Sequence, residues 1–211
     1  MSWLETLQTA AGLYQKENSA TTDRHPLAHT FLNTFYKSIA NEPPANAGNR
    51  RYVPNAIEQG LDSIFSNKGW TLNEELQTIS HGNNEELRKT VDRAYEKGNC
   101  KVFIEVKSTL EFNNFSAAFL EALFFKNEYP DSIFILFSLV TKMTPSKREA
   151  HFDHEALKLI DGKNPIDHII CLSPNPLHKE ADAEEHLQCI LNGANEILIE
   201  GGALANVLNQ S

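Results

Sequence analysis

The sequence has little cysteine. Its 211 residues include three, Cys100, Cys171 and Cys189. They are far apart, odd in number and form no C-x-x-C pair. That argues against a disulfide framework or a thiolate zinc site, and for a reducing compartment. Long apolar runs are also missing: none reaches the roughly 18 residues that a membrane-spanning helix needs. The opening Met1-Ser2-Trp3-Leu4-Glu5-Thr6-Leu7 lacks a basic n-region and an apolar h-region. No secretory signal is therefore expected, and the expected location is cytoplasmic. Positive charge is not in excess either. The net charge is −9 with the histidines neutral, which excludes coating nucleic acid through bulk charge but leaves room for local basic surfaces on an acidic body. There is no internal repeat, linker or low-complexity tract.

What is present is the composition of a globular protein. The hydrophobic fraction is 41%, enough for a substantial core. A single domain over 1–211 is expected, with a core over about 54–175, a helical N-terminal extension over 1–50 and a helical C-terminal region over 180–211. Near-helical spacing of Leu4, Leu7, Ala11 and Tyr14 predicts a helix over 1–17, and Phe31, Phe35 and Ile39, four apart, predict a second over about 27–40. Residues 41–51 hold two prolines, a glycine and three asparagines and read as a loop ending in Arg50 and Arg51. Pro54 suits the first turn of a third helix with Ile57, Leu61, Ile64 and Phe65 inward, closed by Gly69. A short helix is expected over about 84–90.

The pattern then changes to period two. Residues 91–95 and 100–108 read as strands joined by a turn over 96–99, a hairpin. A helix over 114–128 carries Phe115, Phe119, Leu120, Leu123 and Phe124 as its apolar face and ends at Pro130. Residues 132–140 are almost continuously apolar, as in a strand covered on both faces. A helix over 152–160, a strand over 166–172 and one or two helices over 180–209 complete the outline. Helices around a mixed central sheet make the expected class α/β.

The chemistry sits on the hairpin. Alternation puts Lys101, Phe103, Glu105 and Lys107 on one face, and Val102, Ile104 and Val106 on the other. With Tyr95 facing Cys100, Asp92 lies near Phe103 and is a diagonal neighbour of Glu105, roughly 7–8 Å between Cα atoms, close enough for both carboxylates to reach one ion. Two such carboxylates repel unless a positive charge sits between them. Magnesium is the natural partner: it takes oxygen ligands, keeps several waters, and binds through one or two carboxylates plus phosphate. The Lys107 amine beside it can hold or deprotonate a water. This is a layout for attack of water on a phosphodiester. The competing expectation is an exposed edge strand whose two charges partly pair.

Asp92, thirteen residues ahead of Glu105-Val106-Lys107 across a hairpin, followed by a helix and a buried strand, resembles the PD-(D/E)XK nuclease superfamily over about residues 54–140. Val91 stands where that pattern usually has proline. The resemblance implies a restriction-endonuclease-like core of helix, three strands, helix, strand. It also implies Asp92 and Glu105 as metal ligands and Lys107 as the residue that helps activate water. An acidic residue from the preceding helix is implied too, with Glu58 the first candidate and Glu75 the second. The implied activity is a Mg2+-dependent endodeoxyribonuclease, with Mn2+ as a substitute, acting on DNA as a homodimer. A type II restriction enzyme, a repair, recombination or defence nuclease, and a non-catalytic nucleic-acid- or protein-binding scaffold all stay open. Arg50, Arg51 and Lys68, and after the apolar strand over 132–140 Lys142, Lys147 and Arg148, are the candidates for phosphate contacts. His151-Phe152-Asp153-His154 has metal-site residue types but reads as a helix start capped by Asp153, and Gly201-Gly202 reads as a turn.

Overall fold

The structure is a computed structural model that describes residues 3–17, 25–41, 51–80, 88–141, 164–176 and 182–210. Three helices come first: α1 (Trp3–Glu17), α2 (Pro26–Asn41) and α3 (Tyr52–Asn67). Each buries one stripe. In α2 that stripe is Phe31, Phe35 and Ile39 with Leu32 and Tyr36, and in α3 it is Ala56, Ile57, Leu61, Ile64 and Phe65. The two helices meet closely at Gly60, where a Cβ would stand 2.8 Å from the Phe31 ring. Pro54 lies in the first turn of α3, as expected. The helix ends in a Schellman turn: Gly69, at φ +78, donates to Ser66 O and Trp70 to Phe65 O, both at 3.0 Å. The Phe65 and Trp70 rings then meet edge to face at 5.7 Å, which seals the turn.

The strands are β1 (Thr71–Leu72), β2 (Thr78–Ser80), β3 (Arg88–Thr90), β4 (Arg93–Lys97), β5 (Cys100–Leu110), β6 (Ile133–Thr141) and β7 (His168–Pro176). Five of them form one sheet in the order β1-β4-β5-β6-β7. The first two pairings are antiparallel and the last two parallel. The crossover from β5 to β6 is α4 (Phe112–Glu128). After β7 come α5 (Ala183–Leu198), capped by the Asp182 carboxylate, and α6 (Ala203–Leu208), reached through a turn at Gly201 (φ +83). The class is thus α/β, with a mixed five-stranded sheet flanked by helices.

The sheet has a distinct core on each face. Val102, Ile104, Val106, Ile135, Phe137, Ile170 and Leu172 share one apolar cluster with residues of α1, α2, α3, α5 and α6. Phe103, Phe134 and Leu136 share another with Phe115, Ala118, Ala122 and Phe125 of α4. The helices of the expected N-terminal extension therefore bury their stripes in the same cluster as the sheet.

Three expectations need correction. Residues Arg88–Thr90 are not helical but pair as a strand with Thr78–Ser80 in a separate ribbon, with the Thr78 and Thr90 hydroxyls 3.2 Å apart. The hairpin turn is two residues, not four: Lys97 pairs with Cys100 around Gly98-Asn99, and Gly98 takes φ +58. The inward face of α4 is Phe115, Ala118, Ala122 and Phe125, and Leu120 is 45% exposed. The proposed helix over 152–160 lies outside the described residues, as do residues 84–87.

Candidate active site

The shorter turn slides β4 along β5. Tyr95 pairs with Val102 and Arg93 with Ile104, the last pair of the ladder. Asp92 therefore comes level with Glu105, not with Phe103, and the diagonal relation expected from sequence becomes a direct one. Where β4 ends, β5 would carry an unmatched backbone donor. The Asp92 carboxylate takes its place: its Oδ2 accepts from Val106 N at 2.8 Å. Val106 is the residue between Glu105 and Lys107, so the hairpin brings all three predicted groups to one point of β5.

That point is not an edge. β5 is the middle strand, and Glu105 is 6% exposed. The exposed ion pair of the competing expectation is thereby overturned. Lys107 donates to Glu105 Oε1, and the two form an ion pair. Both lie on the α4 face, which adds a residue that sequence reasoning missed. Glu121 of α4 interacts electrostatically with Lys107, Glu105 and Asp92. Lys89 also acts on Glu121, so three carboxyl groups share two ammonium groups. Burial first, and then the Asp92 charge, push Glu105 up to about 8. Burial also raises Glu121. Burial works to lower Lys107, but Glu105, Asp92 and Glu121 together outweigh it and hold the amine above its usual value. Lys107 accordingly keeps its proton, while burial and the neighbouring carboxyl groups make Glu105 harder to ionise than a free carboxyl.

On the other face, Arg93 organises the approach to α3. Its guanidinium grips Asp62 with two hydrogen bonds, Nε to Oδ1 at 2.9 Å and Nη2 to Oδ2 at 3.2 Å. Nη1 lies 2.7 Å from Glu58 and donates to the Asp92 carbonyl at 2.8 Å. Tyr95, two residues on and so on the same face, donates to Asp62 at 2.6 Å. Glu58 is raised by burial, with Arg93 opposing and Asp92 adding to the shift. Glu58 thus sits near the site but is held by Arg93. Asp62 lies one helical turn after Glu58, a pair of acids on one flank of α3 that the sequence displayed.

The remaining candidates fall elsewhere or outside the described residues. Glu75 is exposed on a 3-10 turn, its N–H bound to Asn73. It is not part of the cluster. Arg51 lies at the start of α3, exposed, and its charge acts on Glu58. Lys68 is ten residues after Glu58, about 15 Å along the helix, and donates to Asn209 Oδ1 at 3.0 Å. Arg50, Lys142, Lys147, Arg148 and the His151–His154 segment lie outside the described residues.

Among the described residues, no group of three or more His, Cys, Asp or Glu side chains could by itself hold a metal ion. The geometry explains this: Asp92 is turned to the backbone, Glu105 to Lys107 and Glu58 to Arg93. The donor set still suits a hard divalent cation held by two carboxylates, Asp92 and Glu105, whose other positions go to water and phosphate. Two buried oxygens beside it fit a polar ligand shell. Glu121 Oε2 and Ser138 Oγ have no hydrogen-bond partner among the described residues. Comparison with family models, curated proteins and solved structures gave no match.

Proposed function

We propose that this chain is a metal-dependent endonuclease that hydrolyses DNA phosphodiester bonds, with the restriction-endonuclease-like arrangement that its sequence resembles. One observation carries the reading. The Asp92 carboxylate is docked on the backbone between Glu105 and Lys107, on the buried middle strand of a mixed sheet. The order α3, β1, β4, β5, α4, β6 supports the same core. Asp92 and Glu105 hold Mg2+ or Mn2+. When bound, the ion supplies Lewis-acid stabilisation of the phosphate and of the attacking water. Lys107 orients that water and offsets charge building on the phosphoryl oxygens. Glu58, freed from Arg93, is the adjacent acid.

DNA is the substrate, a homodimer is the form that cuts both strands, and the cytoplasm is the setting. Among the described residues no helix is long and apolar enough to cross a membrane, and Cys100, Cys171 and Cys189 form no disulfide. Incubation of supercoiled plasmid with the chain and Mg2+, with and without EDTA, tests the reading. Cutting that EDTA abolishes supports it. Discrete fragments identify a restriction enzyme, and a smear identifies a nuclease acting on ends or structure. An intact plasmid together with no Mg2+ binding at millimolar concentration transfers the chain to the scaffold class.

A further inference from the structure

The site as it stands contains a conflict. Glu105 is bound to Lys107, yet the proposed function needs Glu105 for a cation. A cation arriving at Glu105 takes the carboxylate from the ammonium and repels that ammonium as well. Lys107 must then go somewhere, and a half-buried ammonium with no acceptor is costly.

The α4 face holds two acceptors that lack donors. Ser138 lies on β6 directly beside Lys107 in the parallel register, so the two side chains leave the sheet on the same side. It is 0% exposed, and its Oγ has no hydrogen-bond partner among the described residues. The other acceptor is Glu121. It is flanked on α4 by the buried Ala118, Ala122 and Phe125, and its Oε2 is also out of solvent without a partner. Apart from burial, Lys107 is the strongest influence on its charge. Buried polar atoms are normally paired, and two orphans next to one lysine call for an explanation. An ammonium has three donors, and Glu105 takes one.

We infer that Glu121 and Ser138 form a second seat for the Lys107 ammonium, which moves there when Glu105 turns to hold a divalent cation. Glu121 is then a positioning residue. It fixes the Lys107 ammonium beside the cation, and it lets Glu105 leave its ion pair without stranding the ammonium. The inference rests on the proposed nuclease reading and adds to it a residue and a movement.

A double-mutant cycle on the full chain tests it. Mg2+ is titrated by calorimetry into wild type, Glu121→Gln, Lys107→Met and the double variant, and the melting temperature of each is recorded. A residue that supports a metal ligand without touching the ion is worth about 10-fold or more in affinity. Glu121→Gln should therefore weaken Mg2+ binding about 10-fold when Lys107 is present and hardly at all in the Lys107→Met background. Ser138→Ala should weaken it less, with the same dependence on Lys107. In the chain labelled with lysine 13Cε, the Lys107 resonance should move on Mg2+ addition in wild type and stay at its metal-free position in Glu121→Gln. If the Gln variant does not fold, the Ser138–Lys107 cycle gives the same decision. Mg2+ binding by wild type with an equal penalty in both backgrounds, or with none, overturns this inference alone. No Mg2+ binding by wild type overturns the nuclease reading and this inference together.

Discussion

The two faces of the central sheet use the same strands but settle their charges differently. Toward α3 the acids are matched: Asp62 receives Arg93 and Tyr95, and Glu58 receives Arg93. Around them Val102, Ile104 and Val106 lie in an apolar cluster shared by five helices. Toward α4 the same strand β5 presents Phe103, then Glu105, then Lys107, and carboxyl groups outnumber ammonium groups. A buried surplus of negative charge is unfavourable for folding and favours binding of a cation. The difference separates a face whose charges are matched from a face whose charges are not.

Substitutions should tell the faces apart. The largest effect is expected at the charged face, in activity. Glu105→Ala or Lys107→Ala should lower Mg2+-dependent plasmid cleavage by about 10³-fold, with the far-ultraviolet circular dichroism unchanged. Cleavage at the wild-type rate by either variant removes the assigned roles. On the helical face the largest effect is on stability. Gly193 of α5 lies against β7, where a Cβ would stand 1.6 Å from the Leu172 carbonyl oxygen. Gly193→Ala forces α5 off the sheet and should cost about 3 kcal/mol in denaturant unfolding. A variant as stable as wild type would show that α5 is not so close.

The faces should also respond to pH in opposite directions. Burial holds His186 of α5 down at about 4. Its folded value is below its unfolded one, so its contribution is complete above about pH 6.5 and is lost as pH falls toward 4. Glu105, in EDTA, is pushed up to about 8, above its unfolded value. Its contribution is complete below about pH 4.5 and is lost as pH rises toward 8. Each slope is at most about 1.4 kcal/mol per pH unit, and between about pH 4.5 and 6.5 the two oppose each other. Thermal melts across pH should show the alkaline loss disappear in Glu105→Gln and the acid loss disappear in His186→Leu. Unchanged profiles would mean that neither group titrates as its surroundings dictate. The smallest effect is expected at Tyr95→Phe, which removes one of three hydrogen bonds to Asp62 and should cost about 1 kcal/mol. A loss beyond about 3 kcal/mol would mean that the phenol supports more than Asp62.

Much of this organisation was legible in the sequence where a period was strong. The four-residue spacing in α2 and the apolar run of β6 placed the large core elements. The alternation around Glu105 and Lys107 placed both on one face. The register was not legible to the same degree. Composition alone suits a four-residue turn over 96–99, but Gly98 can take a positive φ, so Gly98-Asn99 closes the hairpin alone and moves Asp92 level with Glu105. The inward face of α4 is set not by its largest side chains but by Ala118 and Ala122, which let the helix lie close to the sheet. Glu121 lies on the same stripe as those alanines, so large side chains alone do not point to it. Arg93 and Tyr95, one strand step apart, could have been paired with Asp62 only once the neighbouring helix was known. The ribbon of β2 and β3 had no signal beyond short polar segments.

The proposed nuclease role requires Asp92 and Glu105 jointly to accept a divalent ion. Mn2+ titrated into the chain and followed by the paramagnetic resonance of the free ion counts bound metal directly. Wild type should withdraw at least one Mn2+ per chain from solution, and Asp92→Asn/Glu105→Gln should withdraw none. Equal uptake by the two proteins, or no uptake by wild type, contradicts it.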